Sequence, residues 1–248
     1  MTWIVLAGLA LAMTFQVHAI DLPILTTRSR FEAANRVAID AQWEEEVKAN
    51  PRLWNGEQFL FEDVRVEEGV LRGIGYRTDF ATFLYWRRNR YSSTAMPTHI
   101  AATTLPVTSD GALLTIRMAP HTANPGEYYF PAGSLDDHDV IDGHISIDAN
   151  IRRELLEETG IAYPLAEQPE PYIVAIVDNA WHIARRFDLP LSVDQARDAI
   201  AQHQAATGDD ETDAVEGIYK PEQTAKLKPY ARLLAEWHFD NMQAGRAA

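Results

Sequence analysis

Three glutamates in the segment 151–161 are spaced so that they could act together: Glu154, Glu157 and Glu158. If the segment is helical, positions i, i+3 and i+4 lie on one face, and the three carboxylates project side by side. Like charges at this spacing repel one another, and a hard divalent cation such as Mg²⁺ or Mn²⁺ relieves the repulsion by binding their oxygens. Arg153 lies one turn before Glu157 and can orient that carboxylate. The alternative is a solvated acidic face, which is the usual state of a charged surface helix.

The residues around these glutamates predict the helix itself. Ser146 or Asp148 can cap its start, and Gly160 can adopt the left-handed conformation that ends many helices. Between them, apolar residues recur at every fourth position from Ile147 to Leu155, as expected for a face packed on a core. The pattern therefore predicts a helix with one buried and one acidic face.

The order of residues in this helix carries a specific resemblance. Residues 153–161 match REUxEExGU, the second half of the Nudix box, at every fixed position. Upstream, residues 130–133 read Phe-Pro-Ala-Gly and resemble the family's strand-end turn, normally proline-glycine-glycine, with Ala132 in place of the first glycine. Over residues 101–248 the chain is thus similar to the Nudix hydrolase superfamily.

This resemblance implies an α+β protein with the Nudix fold, an α/β/α sandwich around a mixed β-sheet. It also implies a pyrophosphohydrolase that cleaves a diphosphate linkage in a nucleotide derivative. In that picture Glu154, Glu157 and Glu158 bind Mg²⁺ or Mn²⁺, which the backbone of Ala132 approaches. Glu157 and Arg153 are the box residues to which we assign catalytic roles.

The general base varies within the family. Glu211 and Glu216 lie in an acidic segment where many members have a further ligand or base. The resemblance therefore makes both of them catalytic candidates. A solvated loop is the alternative for each of them.

One part of the box departs from the family pattern. The interval between the turn glycine and the box arginine is too long, and Ile145 stands at the position that the pattern assigns to a glutamate. Residues 136–144 therefore form an insertion. Its acids could replace the missing glutamate, and Asp142 and the nearby Asp148 are the candidates, Asp142 as a metal ligand.

Two partial resemblances bear on the substrate. Residues 113–117, with Gly126 and Phe130, partly follow a signature of the coenzyme A pyrophosphatases, but Met118 and Thr122 replace its serine and second arginine. The UDP-glucose diphosphatase-like branch is more similar overall. Its members share an expanded box and an N-terminal extension that contains a tryptophan followed by a proline and an aromatic residue.

In this chain that extension contains Trp43, Pro51 and Trp54. The likeness makes a nucleoside-diphosphate sugar such as UDP-glucose the first choice of substrate, with coenzyme A or ADP-ribose type derivatives as the alternative. A further alternative is a non-catalytic Nudix-fold module for nucleotide sensing or binding, which the missing box glutamate favours.

The amino-acid composition excludes several classes of binding partner and of chemical site. The 248 residues carry a formal charge of −14 and a pI near 4.9, which argues against a surface that binds nucleic-acid phosphates. The chain has no cysteine, which excludes disulfides, zinc–thiolate sites and Nudix-like isomerase chemistry that needs a catalytic cysteine. We expect a small-molecule nucleotide as partner, no nucleic acid and no stable membrane association. Nudix enzymes are often dimers, so the resemblance also allows a homodimer.

The remaining pattern predicts the elements that position the site. Residues 1–100 form an N-terminal α/β extension and residues 101–248 the Nudix domain. Helix 32–49 has apolar residues at helical spacing at Ala33, Val37, Trp43 and Val47. The other predicted helices are 80–86, 193–204 and 229–241, and the predicted strands are 58–66, 70–76, 105–107, 112–117, 171–177 and 217–219, with an acidic loop at 207–213.

The first nineteen residues have two interpretations. Their apolar run resembles a secretory leader, but the expected basic start is missing because the first basic residue is Arg28. Alternatively, translation begins at Met13 and residues 15–25 form an alternating strand. We expect a cytoplasmic protein, with a secreted or periplasmic one as the alternative if residues 1–19 are a leader.

Overall fold

The computed structural model describes residues 12–89, 96–122, 124–163 and 171–246. The helices are α1 (Arg30–Ala49), α2 (Phe80–Asn89), α3 (Ile147–Thr159), α4 (Val193–Thr207) and α5 (Pro229–Arg246). The strands are β1 (Met13–Val17), β2 (Ala19–Asp21), β3 (Ile24–Leu25), β4 (Glu57–Glu67), β5 (Val70–Asp79), β6 (His99–Val107), β7 (Leu113–Met118), β8 (Tyr128–Tyr129), β9 (Ala132–Ser134), β10 (Val140–Ile141), β11 (His144–Ile145), β12 (Tyr172–Val177), β13 (Ala180–Asp188) and β14 (Thr212–Ile218).

The main sheet is mixed, as predicted. Its order within the described residues is β1-β12-β13-β6-β7-β14, with β8 beside β7 and β9 beside β6. β13 runs parallel to β6, whereas its other neighbour, β12, is antiparallel to it. β6 and β7 pair only at Val107 and Leu113 before β9 and β8 join them.

Helices cover both faces of this sheet. On one face, α5 packs on the inward residues of β6, β7 and β12, with Leu234 fully buried. On the other face lie α3 and α4, whose Ile151, Leu155 and Ile200 are buried against the sheet. The predicted α+β class and α/β/α sandwich are therefore confirmed, because alternate residues along each strand supply two separate apolar surfaces.

The N-terminal part contains a second sheet and contributes a strand to the first. β4 and β5 form an antiparallel pair, and β2 and β3 run parallel to β5. β1 instead pairs antiparallel with β12, from Met13 opposite Ile176 to Val17 opposite Tyr172. Residues 13–17 therefore belong to the main sheet, although the sequence analysis grouped them with the extension. The single strand predicted for residues 15–25 is wrong, since this segment forms three short strands in two sheets.

Several element predictions need correction. α1 buries Glu32 and Ile39 rather than the predicted stripe, and Val37 is 86% exposed. The acidic loop at 207–213 ends earlier than predicted, because β14 begins at Thr212 and pairs with β7. β13, the central strand of the sheet, was not predicted. The other predicted helices and strands are confirmed with small changes of their bounds, except that the strands predicted at 105–107 and 217–219 extend to His99–Val107 and Thr212–Ile218.

The two interpretations of the N-terminus concern residues that are mostly outside the described part, since residues 1–11 are not included. Among the described residues, every helix is too short or too polar to span a bilayer.

Candidate functional site

Helix α3 presents the glutamates, and its ends are built as the sequence predicted. Of the two candidate caps, Ser146 is the one used, and its hydroxyl accepts the backbone N–H of Ala149 at 3.2 Å. At the other end Gly160 has φ +68° and donates its N–H to Leu156. A side chain at Gly160 would also meet His203, since an added Cβ would lie 2.7 Å from the Cβ of that histidine.

The strand-end turn approaches the helix so closely that a side chain at Gly133 would displace that of Glu154. β9 pairs with β6 and brings Gly133 against Glu154. A Cβ on Gly133 would lie 1.8 Å from Cδ of Glu154, well inside van der Waals contact. One residue earlier, the backbone N–H of Ala132 donates to Oε2 of Glu158 at 2.9 Å. The turn thus contacts two of the three predicted glutamates.

Burial makes the negative charge on these two glutamates costly. It raises the pKa of Glu154 to about 7, opposed by the charge of Arg153 and assisted by that of Glu157. Burial likewise raises the pKa of Glu158 well above its ordinary value, and the charge of Glu154 adds to the effect. The charge of Glu154 thus disfavours the ionisation of Glu158, which lies one turn later in α3.

Arg153 connects the third glutamate to this pair. Its Nη1 lies 2.8 Å from Oε1 of Glu154 and 3.0 Å from Oε2 of Glu157, so the predicted pairing with Glu157 is present. The side chain of Glu157 is 58% exposed and faces solvent. Glu157 is therefore held at the rim of the site rather than within it.

The two acids suggested as replacements for the missing box glutamate are placed elsewhere. Asp142 lies at the exposed tip of the β10–β11 hairpin, with φ +50°. Asp148 forms an ion pair with Arg185, Oδ1 to Nε at 2.8 Å, and accepts the hydroxyl of Tyr172 at 3.0 Å. Asp148 therefore fixes the start of α3 to the sheet. The assignment of Asp142 as a metal ligand stays a prediction.

Asp139 is the acid that reaches the box helix, and the sequence analysis missed it. Its Oδ2 accepts Nη2 of Arg153 at 3.0 Å, and its side chain is only 1% exposed. The available signal was weak: Asp139 is the acid that directly precedes the apolar pair Val140 and Ile141 of the insertion. The burial of Asp139 follows from the folded insertion and could not be predicted from the order of these residues.

The two candidate bases differ in their surroundings. Glu211 is exposed, and its charge lies close enough to Glu158 to raise the pKa of that carboxyl further. Glu216 pairs with Lys226 and accepts the hydroxyl of Tyr128 at 2.7 Å. These two contacts lower the pKa of Glu216 and hold its carboxylate. The structure thus brings Glu211, and not Glu216, towards the cluster.

The carboxylate oxygens of this glutamate cluster are suitable ligands for a divalent cation. Within the described part of the chain, no group of three or more histidine or acidic side chains is arranged to hold a metal ion as it stands. Glu154 and Glu158 nevertheless present adjacent, poorly solvated oxygens, which is the donor chemistry that Mg²⁺ and Mn²⁺ prefer. A cation at this pair would offset the burial that raises both pKa values, and for Glu158 also the repulsion by Glu154. The residues therefore fit such an ion, with Glu157 one turn away.

Comparisons with known proteins give matches among solved structures. No family model matches the chain, and no curated protein is similar in sequence. The MutT protein of Methanosarcina mazei Go1 is 20% identical, with 60% of this chain and 99% of that chain covered and a TM-score of 0.40. The NUDIX domain of Shewanella oneidensis NrtR, complexed with ADP ribose, is 11% identical over 64% of this chain and 97% of that one, with a TM-score of 0.40.

A bifunctional NMN adenylyltransferase/ADP ribose pyrophosphatase from Francisella tularensis, complexed with AMP and a Mn ion, is 14% identical over 64% of this chain and 46% of that chain, with a TM-score of 0.43. Three of the similar structures are described as Nudix hydrolases or Nudix domains, the superfamily that residues 153–161 resemble. The UDP-glucose diphosphatase-like branch stays a prediction.

Proposed function

We propose that this chain is a Nudix-type pyrophosphohydrolase that cleaves the diphosphate bond of a nucleoside diphosphate linked to another group. The observation that carries the proposal is the pair Glu154 and Glu158, desolvated side by side against the turn at Ala132 and Gly133. A carboxylate pair that exists only to face solvent needs neither the close approach of a glycine nor a backbone donor. The motif order of residues 153–161 supports the same conclusion.

Each residue then has a definite task. Glu154 and Glu158, with Glu157 from the rim, would hold Mg²⁺ or Mn²⁺ beside the backbone of Ala132. When bound, such an ion neutralises charge on the diphosphate and lowers the pKa of a water molecule. Arg153 pairs with both Glu154 and Glu157 and so fixes the position of each carboxylate.

The proton of the attacking water needs an acceptor. Glu211 is the better of the two candidates, because it is exposed beside Glu158 while Glu216 is held by Lys226 and Tyr128. A general base must reach the proton directly or through one water. We therefore assign this role to Glu211.

For the substrate we propose a nucleoside-diphosphate sugar such as UDP-glucose, with ADP-ribose and coenzyme A as the alternatives. The expanded box and the N-terminal extension support this choice, and the two features contact each other in the fold. A cytoplasmic location and a homodimer stay predictions of the sequence.

A second candidate function is a non-catalytic module that binds nucleotides. It is favoured by one observation, that the described glutamates do not form a ready three-ligand group. In that case the chain would bind a nucleotide without consuming it.

A substrate panel separates the two candidates. UDP-glucose, ADP-ribose and coenzyme A are incubated with the protein, with and without Mg²⁺, and phosphate is measured after coupling to a phosphatase. We expect Mg²⁺-dependent turnover of at least one compound, lowered more than threefold by Glu157→Gln and unchanged by Glu236→Gln, a control on the outer side of helix α5, where Glu236 pairs with Arg232. A rate within about threefold of the parent for Glu157→Gln, less than about 1 kcal/mol in the barrier, would show that the metal assignment is wrong. No turnover together with no metal binding by calorimetry would favour the binding module.

A further inference from the structure

The box insertion, residues 136–144, lies between the N-terminal sheet and helix α3. It consists of a 3₁₀ turn at Asp137–Asp139 followed by the β10–β11 hairpin, in which Val140 pairs with Ile145. Asp136 caps the 3₁₀ turn by accepting the N–H of His138 at 2.8 Å. The insertion is therefore an ordered element and not a loose loop.

One side of the insertion is joined to the N-terminal sheet by backbone hydrogen bonds. The N–H of Ile24 donates to the carbonyl of Gly143 at 2.9 Å. At the base of the hairpin, the N–H of Ile145 donates to the carbonyl of Leu22 at 3.0 Å. Leu22 is fully buried, and Ile145 packs in the same apolar cluster. These bonds set the position of the hairpin relative to β2 and β3.

Ion pairs strengthen the same junction. Arg77, on β5, pairs with Asp137 of the 3₁₀ turn and lies 2.6 Å from Glu57 on β4. His144 Nε2 lies 3.5 Å from Asp21 on β2. The 3₁₀ turn that ends with Asp139 is thus tied to the sheet by a side chain as well as through the hairpin.

The other side of the insertion contacts α3 through Asp139. The buried carboxylate of Asp139 accepts hydrogen bonds from Nδ2 of Asn150 at 2.8 Å and from Nη2 of Arg153 at 3.0 Å. The backbone carbonyl of Asp139 accepts the N–H of Ser146 at 2.8 Å. Nη2 of Arg153 also lies 3.5 Å from Asp136. A buried carboxylate is tolerated only when its partners are in place, so these contacts hold the guanidinium in one orientation.

That orientation decides what Arg153 offers to the glutamates. With Nη2 held by Asp139, the guanidinium plane directs Nη1 towards Glu154 and Glu157. Freed from Asp139, the long arginine side chain would sample other rotamers, and both carboxylates would lose their common partner.

We propose that Asp139 is a positioning residue, and that through it the N-terminal sheet sets the geometry of the metal-binding glutamates by way of Arg153. The statement about metal geometry rests on the proposed function, whereas the statement about the orientation of Arg153 does not. The extension is then part of the machinery of the site rather than an appendage.

The first test is Asp139→Asn, which keeps the shape and removes the charge. In metal-free protein, NMR of the arginine side chains should show a resolved, slowly exchanging Nε–H for Arg153 in the parent and its broadening or fast exchange in the variant. An Nε–H of Arg153 that stays equally protected in Asp139→Asn would overturn the proposal, whatever the protein catalyses.

The second test follows Mn²⁺ binding by electron paramagnetic resonance, without substrate. We expect Asp139→Asn to bind Mn²⁺ about tenfold more weakly, and kcat to fall with KM within twofold of the parent. Equal Mn²⁺ affinity in the parent and the variant would overturn the proposal. A parent that binds no Mn²⁺, but whose Arg153 signal still depends on Asp139, would refute the proposed function and leave the positioning role supported.

A matched pair of surface variants tests the link to the N-terminal sheet and covers the case in which Asp139→Asn fails to fold. Arg77→Ala removes the contact with Asp137, while Arg65→Ala removes a similarly exposed arginine whose partner, Glu67, lies on its own strand. We expect Arg77→Ala to speed exchange of the Arg153 Nε–H at least threefold at an unchanged Tm, and Arg65→Ala to leave it as in the parent. Equal behaviour of the two variants would show that the sheet does not act on Arg153.

Discussion

Helices α1 and α3 both carry a dense run of glutamates, and the fold treats the two runs in opposite ways. On α1, Glu45 pairs with Lys48 at 2.6 Å, and both side chains are about two-thirds exposed or more, at 71% and 67%. Glu46 pairs with Arg88 of α2 at 2.5 Å. These glutamates are solvated or paired one to one with basic side chains, as on an ordinary surface helix.

On α3 the same residue type is desolvated. Glu158 receives a backbone N–H, Glu154 lies against a glycine, and one arginine is shared among several acids. The difference teaches that charge density along the chain does not identify a site. What distinguishes α3 is a turn and an inserted hairpin that are packed onto its acidic face.

The largest expected effect on the reaction rate comes from removing one partly buried carboxylate. Glu158→Gln should lower kcat at least about 100-fold, about 2.7 kcal/mol in the barrier, because Gln cannot supply the charge that a cation needs. The matched change on α1, Glu45→Gln, should leave kcat within twofold. Steady-state kinetics on the substrate identified by the panel measures both, and equal losses would remove the distinction between the helices.

Arg153→Ala should be the most destabilising of these changes. It leaves the carboxylate of Asp139 buried without its charged partner, which typically costs about 3–5 kcal/mol. Urea unfolding in the presence of EDTA gives the free energy directly. A loss below about 1 kcal/mol would mean that Asp139 is better solvated than the structure shows.

Divalent metal should stabilise the protein through α3 alone. At about 100 times its dissociation constant, Mn²⁺ should add about 2.7 kcal/mol to the free energy of unfolding. The increase, followed as a rise in Tm over protein in EDTA, should persist in Glu45→Gln and disappear in Glu158→Gln. A rise of the same size in both variants would locate the ion elsewhere.

Gly133→Ala tests the close approach of the turn. The new Cβ must displace the end of the flexible Glu154 side chain, so the fold should lose less than about 1 kcal/mol. Mn²⁺ affinity should fall about tenfold, because the displaced carboxylate no longer faces Glu158. Calorimetric titration beside Ser134→Ala, a control on the same strand, measures the change, and unaltered affinity would argue against Glu154 as a ligand.

The smallest effect is expected on α1. Lys48→Ala should leave the free energy of unfolding nearly unchanged, because exposed pairs contribute little. Thermal unfolding at low and high salt is the measurement. A larger, salt-dependent loss would mean that the acidic run on α1 is more than a solvated face.

Local patterns in the sequence predicted the elements well wherever one residue decides the geometry. Ser146 and Gly160 mark the ends of α3, as predicted, and the turn at Gly133 contacts that helix. β13 escaped prediction because Arg185 and Arg186 interrupt its apolar pattern. Arg185 is buried all the same, because Asp148 and the ring of Tyr172 accompany it.

The amino-acid sequence by itself determined that one helix carries a motif of three glutamates and an arginine, with a cap at each end and a glycine turn upstream. Only the tertiary structure decided which acid holds that arginine. Asp139, Asp142 and Asp148 are the same type of residue and lie within ten residues of one another. One became buried beneath α3, one was left at a hairpin tip, and one was tied to the sheet, because burial depends on what packs over a residue and not on its neighbours in the chain.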